Sequence, residues 1–202
     1  MEFNDAILKI RDVLNDTESL RWSDAELGLY INEAQRRYAL VSKEFIATST
    51  ITATATSIIN MPVDFISFVR FVDINNKDIP CLSWIDLNYN YNPLFISDTD
   101  GDLLAVCFDY ESWNKMRTYP NKTSGIIGTL TYSRFPADNT IEAKYTLPLI
   151  YYATAKAYLR DGTEYVTKAF EYLAKFNNEL FGNINYEKNL RYIGNPVYGE
   201  TF

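Results

Sequence analysis

The sequence contains no histidine. Serine–histidine–aspartate and cysteine–histidine catalysis, histidine-containing zinc sites and the usual near-neutral proton switch are thereby excluded. Glycine is scarce, 8 in 202 residues. Neither a GxGxxG dinucleotide fingerprint nor a P-loop occurs, so the common glycine-built phosphate cradles are missing as well. No apolar run approaches the ~20 residues that a membrane-spanning helix needs. The opening Met1-Glu2-Phe3-Asn4-Asp5 lacks the basic-then-apolar pattern of a signal peptide, which points to synthesis in a cytoplasm. Basic side chains are outnumbered, 19 Lys and Arg against 26 Asp and Glu for a net charge of -7, and this argues against a surface built to grip phosphate backbones. The two cysteines, Cys81 and Cys107, lie in apolar stretches where buried free thiols are the common state. No cofactor and no metal are expected.

What the chain does have is apolar bulk: 47% hydrophobic residues, with 16 Tyr and 12 Phe. That suffices for one core, or for one core carrying a sizeable insertion. So many rings exceed what a monomer of this size readily hides, and tyrosine suits a surface wet on one side and packed on the other.

Helical spacing of Ile7, Ile10 and Leu14 predicts a short first helix over Asp5–Asn15. In Trp22-Ser23-Asp24-Ala25-Glu26-Leu27, Ser23 and Glu26 form a capping box, and Trp22 and Leu27 occupy the staple positions of a second helix running to about Ser42. Leu27, Ile31, Ala34, Tyr38 and Val41 carry its apolar face. From Thr48 to Thr56 threonine takes every second position, the alternation of a strand or tight hairpin. Phe65–Ile74, Leu103–Asp109, Trp113–Thr118 and Ile126–Arg134 read as further strands, with a turn at Met61–Asp64 and a hairpin at Asn75–Asp78. Helical order returns near Thr146 and stops at Asp161-Gly162; Thr163 starts a last helix that ends by Gly182-Asn183. Residues 184–202 break helix and strand yet keep Tyr186, Tyr192, Ile193, Val197, Tyr198 and Phe202, too apolar for a solvated tail. An arm docked on a partner is the favoured reading, and an arm folded back over its own helices is the alternative. The fold class is therefore α+β. A bundle of about four helices comes from residues 1–44 and 140–183, with a β-rich insertion at 45–139 and an extended C-terminal arm at 184–202.

Candidate chemistry is thin. Asp98-Thr99-Asp100-Gly101-Asp102 opens like a calcium loop, but Leu103 stands where an EF-hand needs glycine and Asp109 where it needs a longer bidentate acid, so a hairpin turn is the better reading. Asp161 and Glu164 flank Gly162 with nothing to place a substrate between them, and read as solvated or capping groups. Tyr89-Asn90-Tyr91-Asn92-Pro93 fits a subunit contact; the alternative is a ligand- or carbohydrate-binding module that uses Tyr89 and Tyr91 as a stacking platform. Arg36 and Arg37 read as solvated charges or as ion pairs to a neighbouring subunit.

The order of these parts is similar to that of phage head-to-tail adaptors. Trp22–Leu27 followed by Tyr30-Ile31-Asn32-Glu33-Ala34-Gln35-Arg36 resembles the helix start common in that family. Asn60-Met61-Pro62-Val63-Asp64-Phe65 resembles its Leu-Pro-x-Asp-Phe turn, with Met61 in place of leucine. Thr129–Pro136 is similar to its closing strand, and Leu147-Pro148-Leu149-Ile150-Tyr151-Tyr152 to the start of its third helix. The resemblance implies a virion protein, made in the host cytoplasm, that stands in the neck as a ring of about twelve copies. Its implied partners are the portal protein and a tail or second ring protein, with DNA passing through the lumen without specific binding and no membrane involved. It further implies that Tyr192, Ile193, Pro196, Val197, Tyr198 and Phe202 form a portal-docking arm. Composition poor in glycine and rich in Asn, Ile and Tyr resembles that of short-tailed phages, the crAss-like group among them.

Overall fold

The computed structural model describes residues 2–53, 58–83, 87, 102–109, 112–120 and 125–194; beyond residue 182 it describes the backbone alone. The chain divides into two compact units, residues 1–42 with 136–202, and residues 43–135.

The first unit is helical. Helix α1 (Phe3–Leu14) buries Ile7, Ile10 and Leu14. Its start is held by Asp5, whose carboxylate accepts the Glu2 amide at 3.1 Å, and its end by Asn15, which takes the left-handed conformation at φ 53°, a common helix stop. Helix α2 (Asp24–Ser42) begins where the sequence places it. The Glu26 amide donates to Ser23 Oγ at 3.2 Å, and Trp22 and Leu27 are both buried. The reciprocal half of the capping box is not made, because the Glu26 carboxylate accepts instead from Tyr30 Oη at 2.8 Å and from Arg160.

Helix α3 (Thr146–Asp161) is the centre of this unit: it packs against α1, α2 and the last helix, α4 (Val166–Gly194). Ala153, Ala155 and Ala157, all with no exposed surface, let neighbouring backbones close in on it, and Tyr152 and Tyr158 fill the remaining space. Gly162, at φ 117°, stops α3 in a conformation that side chains rarely adopt. Helix α4 does not stop at Gly182-Asn183. It runs on to Gly194, so residues 184–194, read from sequence as extended, are helical. A single glycine in a helix costs only about 1 kcal/mol relative to alanine, less than the helix gains by continuing.

The second unit is a pair of four-stranded sheets. One runs in the order β1 (Ile46–Ala53), β8 (Ile126–Arg134), β3 (Phe65–Asp73), β4 (Asp78–Ile79); the other runs β2 (Ile58–Asn60), β7 (Ser112–Tyr119), β6 (Ala105–Asp109), β5 (Cys81–Leu82). Pairing is antiparallel except for the two-residue β5–β6 contact. Ile51, Phe65, Phe71 and Leu130 from the first sheet share one core with Ile59, Val106 and Met116 from the second. Each such side chain contributes roughly 1.5–3 kcal/mol by leaving water. The threonine alternation resolves as an outward face: Thr48, Thr50 and Thr52 are exposed while Ile51 points into the core. Cys81 and Cys107 are free thiols, and burial together with the neighbouring Cys107 pushes the Cys81 thiol up to about 11.

Gly128 marks the tightest place in this unit. A Cβ there would lie 2.4 Å from the Phe71 ring and 2.6 Å from the Val72 carbonyl oxygen, and a backbone atom cannot step aside as a flexible side chain can. Gly128→Ala is expected to destabilise the β-rich unit by about 1–3 kcal/mol, the usual range for overpacking, read as a lower urea midpoint with the helical signal retained.

Candidate assembly surfaces

Four charged and polar groups organise the turn between α1 and α2. Arg11 and Asp16 are both 3% exposed in their side chains and pair at 3.0 Å. The same guanidinium donates to the Trp22 carbonyl at 2.8 Å and, through Nε, to Asp24 at 2.9 Å. Asp16 in turn accepts the amides of Leu20, Arg21 and Trp22 at 2.9, 3.1 and 3.2 Å. Burial pushes the Asp16 carboxyl up, but the three amides and Arg11 outweigh it and hold the group below its ordinary value. Sequence reading passed over this pair. The available signal was phase: Arg11 falls on the same helical face as Ile7 and Leu14, where a charge must find a partner.

A second ladder ties α2 to α3. Tyr152 Oη donates to Glu33 at 2.6 Å and lies under the Arg37 guanidinium, with Lys156 also on Glu33 at 3.1 Å. Burial raises the Tyr152 phenol, and its hydrogen bond to Glu33 raises it further. Tyr158 and Tyr165 stack at 5.7 Å, with Lys168 5.7 and 5.8 Å from the two rings, and Lys175 lies 4.5 Å from the Tyr172 ring.

Two concavities open on the helical unit. One, of about 490 Å³, has Val13, Leu147, Ile150 and Tyr151 in its lining, with Lys9 and Lys144 beside them. The other, of about 700 Å³, is lined by Phe3, Ile7, Asp24, Asn139 and Thr140 among others, and the Thr140 hydroxyl is already committed to the Ala137 carbonyl at 2.7 Å. Neither lining brings a nucleophile to a base. Among the described residues no three His, Cys, Asp or Glu side chains come together as a metal site, and no helix is long and apolar enough to cross a membrane.

The sequence-predicted positions scatter. Arg36 pairs with Asp138 of its own chain at 3.0 Å, and Arg37 donates to Tyr152 at 3.3 Å. Asp161 pairs with Arg21 at 2.9 Å, while Glu164 is exposed. Asp102 is exposed and 4.0 Å from Lys77. Tyr192 and Ile193 are on the backbone of α4. Tyr89, Tyr91, Pro196, Val197, Tyr198 and Phe202 lie outside the described residues.

Exposed apolar side chains also occur on the helical unit. On α4, Phe170 and Phe181 are 61% and 53% exposed; with Ala174 they share one line of the helix, since eleven residues bring the chain back to nearly the same bearing. A profile of the family described as SU10 adaptor protein matches residues 1–197. The chain belongs to that family of phage head–tail adaptors. The adaptor is thus a structural protein of the virion neck. No curated protein matches it.

Because the folded-state carboxyl of Asp16 is depressed, the stability it contributes is complete above the ordinary aspartate value of about 3.9 and is lost as the pH falls through the lower folded value. Asp16→Asn is expected to flatten that part of the acid limb in denaturant titrations between pH 2 and 5, while the wild-type adaptor loses stability progressively there.

Proposed function

We propose that this adaptor is one subunit of a ring of about twelve copies that prolongs the portal channel and joins it to a tail or second ring protein. Closed rings are built from a heterologous contact, in which a projecting patch on one copy meets a receiving patch on the next. The observation that carries the reading is the match over residues 1–197 to a head–tail adaptor family. The Phe170–Phe181 line and the groove beside Val13, Leu147 and Ile150 supply one patch of each kind on the same helical unit. The β-rich residues 45–139 act as an insertion in that unit, and Tyr192, Ile193, Pro196, Val197, Tyr198 and Phe202 dock on the portal at the end of α4. The acidic balance of the chain, -7 overall, lets DNA slide past without sticking. The particle is short-tailed, of a crAss-like kind.

Phe170→Asp with Phe181→Asp is expected to leave the fold and melting temperature unchanged, since both rings are exposed, and to abolish incorporation into particles. Negative-stain imaging of necks checks it, and normal rings would refute the contact. Truncation after Gly194 should separately preserve the fold and abolish binding to purified portal protein; undiminished binding would remove the docking role of the terminal residues.

A further inference from the structure

Among the described residues, strand β1 is the longest outer strand of the β-rich unit, and its own sequence carries none of the usual edge defences. The outer strands β2, β4 and β5 have 3, 2 and 2 residues, against 8 in β1. Proteins commonly blunt a sheet edge with charge, proline, a bulge, shortness or a cover, because an open row of amides and carbonyls recruits further strands. Ile46-Ala47-Thr48-Ser49-Thr50-Ile51-Thr52-Ala53 has no charge, proline or glycine. Its ladder with β8 runs from Ile46 to Ala53 without a register shift, whereas the β3–β8 and β6–β7 ladders both shift. Among the described residues, 46–53 make no backbone hydrogen bond beyond that ladder.

A strand that fills this edge has to be long, uncharged and able to set hydroxyls beside the Thr48, Thr50 and Thr52 face. The other outer strands of the described residues are too short, and β4 carries Asp78, held by Arg70. The edge that matches is β1 itself. We propose that two copies of the chain pair through β1, antiparallel about a two-fold axis perpendicular to the sheet. Such an axis keeps the exposed face exposed, so even-numbered residues must oppose even-numbered ones. With the axis at Thr50, Thr50 faces its own copy and Thr48 faces Thr52; with the axis at Ser49, Thr48 faces Thr50. Either way threonine meets threonine, a favourable cross-strand pair. On the other side of each four-stranded sheet's new seam, Thr129 and Thr131 of β8 continue the hydroxyl rows opposite Thr50 and Thr48. This contact is isologous and complete with two copies. It is distinct from the heterologous contact of a ring and serves the free subunit, whose edge it hides.

The full chain is sedimented over a concentration series, with hydrogen exchange followed at residues 46–53. The expected result is a two-chain mass at the upper end that falls to one chain on dilution, with protection of the β1 amides tracking the dimer. Thr50→Lys and, separately, Thr48→Lys with Thr52→Lys set ammonium groups directly opposite each other when the axis is at Thr50 and diagonally beside each other when it is at Ser49. Both should give a one-chain mass throughout, with unfolding temperatures unchanged. Leu29→Lys, on exposed α2 surface, should leave the dimer intact. A wild-type chain that stays single, a dimer that survives both β1 variants, or a larger assembly in solution would overturn the proposal. So would protection of 46–53 that appears only when portal protein is added, which would give the edge to a strand of that partner.

Discussion

The helical unit depends on one buried cation. Arg11 projects from α1 into the turn that leads to α2, and its donors are spent on Asp16, the Trp22 carbonyl and Asp24. Asp16, neutralised by that guanidinium, gathers three successive amides of the same turn. The turn therefore has one shape, which seats Trp22 in the core and leaves Ser23 where it can cap α2. A buried ion pair is weak evidence for net stability, since desolvation offsets most of its attraction, but removing one partner strands the other. Its value in this fold is geometric: it fixes the direction in which α2 departs.

Short-range rules made much of the fold legible. The start of α2 follows from Ser23 and its staple residues, because a cap acts within one turn of chain. Strand β1 follows from the period-two alternation of its threonines, and Thr48, Thr50 and Thr52 face water while the intervening Ile51 is buried. Strand β3 follows from its run of aromatic and branched residues, whereas the two- and three-residue β2, β4 and β5 carry no such signal. Legibility failed where the deciding partner is distant in sequence or a weak local preference is overridden. Glu26 abandons its cap for Arg160 on α3, a partner that no local rule supplies. Gly182 and Asn183 suggest a helix end, yet α4 passes through them. Arg11 was missed, although as a charge on the apolar face of its helix it carried a local signal. Arg36, too, has a partner distant in sequence, Asp138, which only the fold brings beside it.

The described aromatic residues divide between core and surface. Among the described residues many rings are buried, with Trp22, Tyr38, Phe71, Tyr152 and Phe176 among the most completely buried side chains, and others, such as Tyr30, Tyr151 and Tyr172, are half-buried. The exposed apolar side chains of the described residues are mostly single aliphatic groups, such as Leu20, Leu29, Val63 and Ile74, with Phe170 and Phe181 as the exposed rings. A few rigid rings on one line of a helix make a better anchor than many half-buried ones, because little side-chain entropy is lost when they dock.

Several perturbed groups of this fold move away from neutrality, on both sides of it. Asp16, Glu33 and Asp78 are held below the carboxylate range, while Tyr30 is pushed up to about 12 and Cys81 to about 11. In a chain without histidine, these shifts widen the interval around neutrality in which the internal bonding stays constant. A subunit built this way keeps these groups in one protonation state well to either side of neutral pH, so a change of pH about neutrality leaves their hydrogen bonds as they are.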